Sequence, residues 1–419
     1  MPPGRITELA ANIKEETIKL EGYLEAEGLP SPSFAPDFPA KLELSDSAAA
    51  SMQQIIEAAD ELHSLLLGPL RYILHQLDGT HNLISLHAVN RFKIFSRFPV
   101  GQEISFTEVA AKCKMDEESM RRILQHAITN NIFAQPKIDF ISHTSVSRSL
   151  AHIPMLSDWV TVSCEEMWAP TTKVVDALVK WPASAEPTET AFNLASGVEK
   201  SFFQELGSSP ERIERFSRAM GLFKVMPGFE TSLVTEATLW HSGTRTVVDV
   251  GGADGAVAYE LARKFPSMRI IVQDLPNVVE NAKSMRNTDL LSQVTFQSHD
   301  FFCEQPVHGS DVYIFRMIFH DWSDKFCIRI LQQLVPALKP GATLLINDFC
   351  IPNPGTTSKY QERLARCHDL SMKAMFNGKE RNKTEWETLL WKADSRFEIV
   401  SVAQLPSSPL ALFEVAWKA

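Results

Sequence analysis

The 419-residue sequence predicts an α/β chain: an open, mostly parallel seven-stranded sheet with helices on both faces, an antiparallel terminal hairpin and a helical N-terminal region. Three observations carry this prediction. From residue 244 onward short β-rich runs (TRTVVDV, RIIVQDL, VTFQSHDFF, DVYIFRMIFHDW, ATLLINDFCIP) alternate with helical ones, the pattern of strand–helix–strand crossovers. The last two runs, FEIVSVAQL and LALFEVAWK, follow each other with no helix between them, so they can only pair antiparallel. Before residue 235 the apolar residues recur instead at three- and four-residue steps.

Composition bounds the class. Hydrophobic residues make up 44% and charged residues 22%, ordinary for a soluble globular protein. Lys and Arg number 41 against 51 Asp and Glu, a net charge of −10, which disfavours nucleic acid or an anionic membrane as partner. The six cysteines are scattered without a CxxC pair, so reduced thiols in a cytoplasmic protein are expected rather than a disulfide framework or zinc ribbon. No run approaches the roughly 20 apolar residues that span a bilayer, and no signal-peptide core opens the chain.

In chain order, Ile6, Leu9, Ile13, Leu20 and Leu24 stripe a first helix, and the Pro- and Ser-rich stretch 28–48 reads as an arm or linker. Residues 1–48 are therefore one segment. A second helix begins near Ser51. Residues 84–150 contain an apolar helix, two short helices separated by a turn (ISFTEVAAKCKM and MDEESMRRILQHAITNNIF) and an alternating hairpin, FAQPKIDFISHT. That is a winged-helix pattern. Its second helix carries Asp116, Glu117 and Glu118 and only two arginines, so 49–154 is expected to serve dimerisation rather than DNA. Residues 155–235 read as a helical connector, and 236–419 as the sheet domain.

The sharpest local motif is Val247-Val248-Asp249-Val250-Gly251-Gly252-Ala253-Asp254-Gly255, a strand turning through small residues into a helix. The NAD-type GxGxxG is absent. Asp249 and Asp254 would repel a pyrophosphate, but they suit an ammonium or sulfonium. Asp274 ends the next strand, where an acid can take both ribose hydroxyls. His299-Asp300-Phe301 ends the third, where a carboxylate can meet an adenine amine and a ring can face the base. S-adenosylmethionine (SAM) is the ligand that fits this set.

His320, in the Ile318–Trp322 run that closes the fourth strand, would project over the donor's reactive end. In-line methyl transfer to a hydroxyl requires alignment and removal of a proton, which a neutral imidazole accepts. The base needs an orienting carboxylate, and either Asp348 or Glu380 can supply it. Asp321 has a competing role as N-cap of the helix near Ser323. The His-Asp pairs at 299–300 and 368–369 match no metal-ligand spacing, so no metal is expected.

VVDVGGADG, QDLP, HDFF, R-x-x-x-HDWSD, LKPGATLLI and NGKER occur in the order seen in class I O-methyltransferases. Over residues 50–419 the chain resembles the caffeic-acid-type plant enzymes, and still more their fungal relatives of the sterigmatocystin type. The resemblance implies a Rossmann-like SAM-binding domain and an N-terminal winged-helix domain that pairs two subunits. It implies that Gly251, Gly252 and Asp274 hold SAM, with Asp300 and Phe301 bracketing the adenine and the basic residue Arg316 assisting. It makes His320 the general base, flanked by Asp348 and Glu380. Phe216 and Met220 correspond to a helix lining the acceptor pocket, and Met372 and Met375 are expected to face the same pocket. The chain departs from the plant pattern at Ala253, Asp254, Lys224 and Asp348.

Two enzymatic readings follow from the resemblance. One is SAM-dependent O-methylation of a phenolic, enolic or polyketide secondary metabolite. The other is a pericyclase reaction on a polyketide-derived pyridone, dehydrating or cyclising it without methyl transfer, as some fungal proteins that resemble this family do.

Overall fold

A computed structural model describes residues 4–243, 246–284, 292–405 and 408–418. They divide into two compact units, one built from residues up to Trp168 with 211–222 and 357–363, the other from 169–210, 223–356 and 364 onward.

In the first unit the helix Arg5–Ala26 buries Leu9, Leu20 and Leu24, the last two packing with Ala48, Met52 and Ile55 of the next helix. That helix, Asp46–Arg91, starts at Ser45, whose hydroxyl accepts the Ala48 N–H. It is interrupted at Gly68, which takes φ 65° and ψ 171°, and resumes at Pro69. Helix thus fills 69–83, between the two segments expected from sequence, because a proline suits the first turn of a helix whose N–H groups are unpaired. Its outer face leaves Leu66, Leu70, Ile73, Leu74 and Leu77 between 54% and 73% exposed. Downstream come β1 (Glu103–Ser105), the helices Phe106–Cys113 and Glu117–Thr129, then β2 (Phe133–Ala134) and β3 (Phe140–His143). The strands form a three-stranded antiparallel sheet in the order β1-β3-β2 around a core of Phe106, Val109, Met120, Leu124, Phe133 and Ile141.

The second unit holds the large sheet: β4 (Thr246–Val250), β5 (Arg269–Asp274), β6 (Val294–Ser298), β7 (Val312–Arg316), β8 (Thr343–Phe349), β9 (Phe397–Gln404) and β10 (Leu410–Trp417). Its order is β6-β5-β4-β7-β8-β10-β9. The first five strands are mutually parallel, and β10 runs antiparallel between β8 and β9. The residues of β4, β7 and β8 are buried almost throughout, as expected when helices cover both faces of a parallel sheet. Phe315, Leu331, Trp386 and Phe413 belong to one core cluster, and Val257, Leu261, Val272 and Leu345 to another. Parallel order brings Val250, Asp274, Ser298, Arg316 and Phe349 to one edge, where ligands bind in such sheets.

Candidate active site

Beyond β4 the chain turns through Gly251 at φ 73°, Ala253 at φ 49° and Gly255 at φ 78° into the helix Ala256–Lys264. The N–H groups of Gly251 and Gly252 both donate to the Gln273 carbonyl (2.8 and 3.1 Å), locking the loop to β5. A Cβ on Gly252 would stand 2.6 Å from Asp249 Oδ2 and 2.8 Å from Val272 Cγ1. Only glycine fits there, and it leaves the backbone open to a ligand.

Asp274 is half-buried, its two oxygens accepting the N–H groups of Ala253 (3.0 Å) and Leu275 (2.8 Å), and burial raises its pKa. Asp249 is 2% exposed, and burial lifts it to about 7 against the pull of Arg316. Arg316 itself is tied to its own chain: its guanidinium donates to Asn347 and to the Phe229 carbonyl (2.6 Å), so its charge rather than a free hydrogen-bonding face reaches the loop. Asp254 is engaged as well, with Lys224 Nζ at 2.6 Å and the Ala256 N–H at 3.3 Å, so two departures from the plant pattern are partners of each other. After β6, Asp300 is exposed and accepts the Phe302 N–H, while the Phe301 ring meets Trp322 edge-on at 6.0 Å.

At the end of β7, Met317 takes φ 54° and the chain makes a single tight turn, Phe319–Asp321, with His320 buried at 9% exposure. His320 Nδ1 lies 3.1 Å from Glu380 Oε1, and Nε2 lies 3.6 Å from Asp321 Oδ1. Its ring stacks on Phe349 (5.2 Å, 18°), which in turn contacts His368 at 5.4 Å. Burial alone would lower the imidazole pKa, but Asp321, Glu380 and Asp348 outweigh it and raise it to about 10. Burial also raises Asp321, to about 7, and lifts Glu380.

Asp348 takes no part in the ring contacts. Its Oδ2 accepts the N–H groups of Ile318 (3.2 Å), Phe319 (2.8 Å) and His320 (3.3 Å), and its Oδ1 that of Phe349 (2.9 Å). His320, Asp348 and Glu380 lie within 4.8 Å of one another, but a carboxylate already accepting four N–H groups is poorly placed to ligate a cation. The expected N-cap role of Asp321 is not realised. The helix starts at Asp324 with Ser323 as its N-cap residue, and the Asp321 carboxylate lies beside the imidazole instead.

Sequence reasoning missed Asp321 and Phe349 as neighbours of the ring, and Arg381, a buried guanidinium bonded to the backbone of the turn that carries it. Asp321 and Arg381 stand in quoted motifs, HDWSD and NGKER, yet nothing in their spacing signals these contacts. Of the four expected pocket residues, Met375 is buried and Met372 half-buried on the helix Lys359–Phe376, in the unit that carries His320. Phe216 and Met220 are half-buried on the helix Pro210–Gly221, in the other unit.

A mostly parallel sheet carries at one edge a glycine cradle, an acid at the end of β5 and a buried histidine with two carboxylates, the arrangement of a methyltransferase fold. The O-methyltransferase domain profile matches residues 178–395. O-methyltransferase kk1A of Curvularia clavata is 37% identical over 418 residues, covering 99% of this chain and 98% of that protein. The grayanic acid biosynthesis cluster O-methyltransferase of Cladonia grayi is also 37% identical, covering 99% and 88%. The crystal structure of OxaC with sinefungin and meleagrin matches with a TM-score of 0.76 at 20% identity, covering 97% of this chain and 99% of that one. LepI in complex with SAM, and a structure described as a pericyclic reaction enzyme, each match at 0.74 and 22% identity, covering 98% and 100%. The chain belongs to the O-methyltransferase family and is a SAM-dependent O-methyltransferase. The cradle at Gly252 and the acids Asp249 and Asp274 fit that cationic cofactor.

Proposed function

We propose that this enzyme methylates a hydroxyl of a phenolic, enolic or polyketide-type secondary metabolite, with His320 as the general base. The observation that carries the reading is the His320 ring, buried at the carboxyl edge of the sheet with Nδ1 hydrogen-bonded to Glu380. SAM supplies an electrophilic methyl group on a sulfonium. Gly251 and Gly252 admit it, Asp274 holds the ribose, Asp300 and Phe301 border the adenine, and Asp249 and Arg316 set the charge around it. Glu380 fixes the Nδ1 proton so that Nε2 faces the acceptor hydroxyl and removes its proton as the methyl moves. Asp348 shapes the turn that carries His320. Met372 and Met375, in the unit that carries His320, line the acceptor side of the site. The name of the Cladonia grayi relative, which ties it to a grayanic acid biosynthesis cluster, supports a fungal-type metabolite as acceptor.

Residues 49–154 act as a winged-helix dimerisation domain beneath the 1–48 arm, and the exposed Leu66, Leu70, Ile73, Leu74 and Leu77 face supports a homodimer. Among the described residues no helix is long and apolar enough to cross a membrane. All six cysteines are free thiols, which suits work in the cytoplasm.

One observation favours the second reading. A histidine raised to about 10 is largely imidazolium at neutral pH, and an imidazolium is equipped to donate a proton to a departing hydroxyl in a dehydration and cyclisation. Mass spectrometry of the product separates the two. Gain of one methyl with stoichiometric S-adenosylhomocysteine supports methylation; loss of water or an isomeric product with SAM unconsumed supports the pericyclic reaction.

A further inference from the structure

Arg381 adjoins Glu380 in the chain, and its side chain is fully buried. Nη1 donates to the Phe319 carbonyl (2.9 Å) and to that of Lys379 (3.1 Å), while Nη2 donates to the Trp322 carbonyl (2.9 Å). Nε and Nη2 also reach Asp324 Oδ1 at 3.0 and 2.8 Å, and the guanidinium lies over the Trp386 ring at 5.5 Å. The two gripped carbonyls of the turn belong to the residue before His320 and to the second residue after it. Lys379 adds a third hold, its N–H donating to the His320 carbonyl at 3.0 Å. Gly378 permits this closeness, since a Cβ there would sit 2.3 Å from the same carbonyl. One four-residue strip thus touches His320 at its carbonyl, its ring and the backbone on either side.

We propose that Arg381 is a positioning residue: by gripping the carbonyls that flank His320, its guanidinium fixes where the imidazole stands between Glu380 and Asp321. The proposal rests on the reading of His320 as the residue that exchanges a proton. Burying a guanidinium is costly unless its donors are satisfied, and here the site's own backbone satisfies them. The planar five-donor fork holds several oxygens at fixed mutual geometry, which a lysine ammonium does not reproduce. Displacing a catalytic group by about 1 Å costs on the order of 100-fold in rate.

The test reads His320 directly and needs no acceptor. The full-length enzyme, labelled with 15N-histidine, is titrated by NMR as wild type, Arg381→Met, Arg381→Lys and Asp324→Ala, with His320→Gln assigning the signal. The charged groups acting on His320 are Glu380, Asp321 and Asp348, with His368 across Phe349. In Arg381→Met the ring loses its alignment with the carboxylates, and its midpoint is expected to fall by about one to three units. Arg381→Lys should fall between. SAM affinity, read by calorimetry, should stay within about threefold of wild type, because the cofactor loop is anchored to β5 rather than to this strip. Should Arg381→Met not fold, Asp324→Ala keeps the guanidinium but frees it from its acid, and a smaller shift in the same direction is expected.

An unchanged midpoint in the folded variants overturns the proposal. So does a raised one, which would mean that Arg381 acts only as a nearby positive charge. The base reading is tested separately, by turnover of His320→Gln, so the two can fail independently.

Discussion

The ring of His320 is hydrogen-bonded to Glu380, while Asp348, within 4.8 Å, is spent on backbone N–H groups. The two carboxylates should therefore fail differently. Glu380→Gln keeps the shape and removes the charge, so turnover should drop by about 100-fold or more with little change in Tm. Asp348→Asn keeps an oxygen for the three converging N–H groups only by setting its NH2 against the Phe349 N–H, and should cost about 1–3 kcal/mol, read as a lowered Tm in thermal unfolding. Equal effects of both on Tm would remove the distinction.

The pH dependence of stability has a definite sign. His320 is held at about 10 when folded against about 6.5 unfolded, so its contribution is fully present below 6.5 and is lost as pH rises through 10. Asp249 and Asp321 are raised to about 7 from about 3.9, so theirs is lost as pH rises from 3.9 through 7. Carboxylates held low by partners, such as Asp116 and Asp394, have given their full contribution by pH 5. The Tm of the ligand-free protein should accordingly fall between pH 5 and pH 9. A Tm that rises over that range contradicts the burial of Asp249 and Asp321 and the hold of the carboxylates on His320.

SAM affinity should follow Asp249. Below about pH 7 its carboxyl is protonated and no longer complements a cation, so the dissociation constant should increase as pH drops. Asp249→Asn should bind more weakly and with no such slope. Calorimetry from pH 5.5 to about 8.5 distinguishes the two profiles.

Gly252→Ala places a methyl group against Asp249 Oδ2 and Val272 Cγ1. We expect a loss of about 1–3 kcal/mol in stability and at least about tenfold in SAM affinity. Wild-type affinity in this variant would show that the cradle is not where SAM lies.

Leu70 and Leu77 are 73% and 61% exposed on one helix. If that face pairs two subunits, Leu70→Glu with Leu77→Glu should convert a dimer to a monomer, measured by sedimentation velocity, with little loss of SAM binding. A dimer that survives both substitutions would falsify this choice of interface.

Much of the fold was legible because strand ends in a parallel sheet fall at one edge, so Gly251, Asp274, Asp300 and His320 could be gathered from order alone. Glu380 could not be chosen over Asp348 in advance. That choice depends on the 377–381 strip folding back over the turn, which needs the missing Cβ of Gly378. Asp254 was read by charge and Arg316 by resemblance, and both are engaged by Lys224, Asn347 and Phe229, contacts distant in sequence. The helix over 69–83 was not expected, because Gly68 breaks the apolar run and the residues after Pro69 are largely exposed, leaving no buried stripe to signal it. The three residues of β1 are too few to show alternation.

Three consecutive amides, from Ile318 to His320, converge on one oxygen of Asp348. Such a concave row of N–H groups is an anion receptor, here occupied by the protein's own side chain. Truncating Asp348 to alanine would vacate that receptor without dismantling it, making the enzyme a candidate for chemical rescue. Formate or acetate supplied from solvent could re-form the turn and restore turnover in a concentration-dependent way.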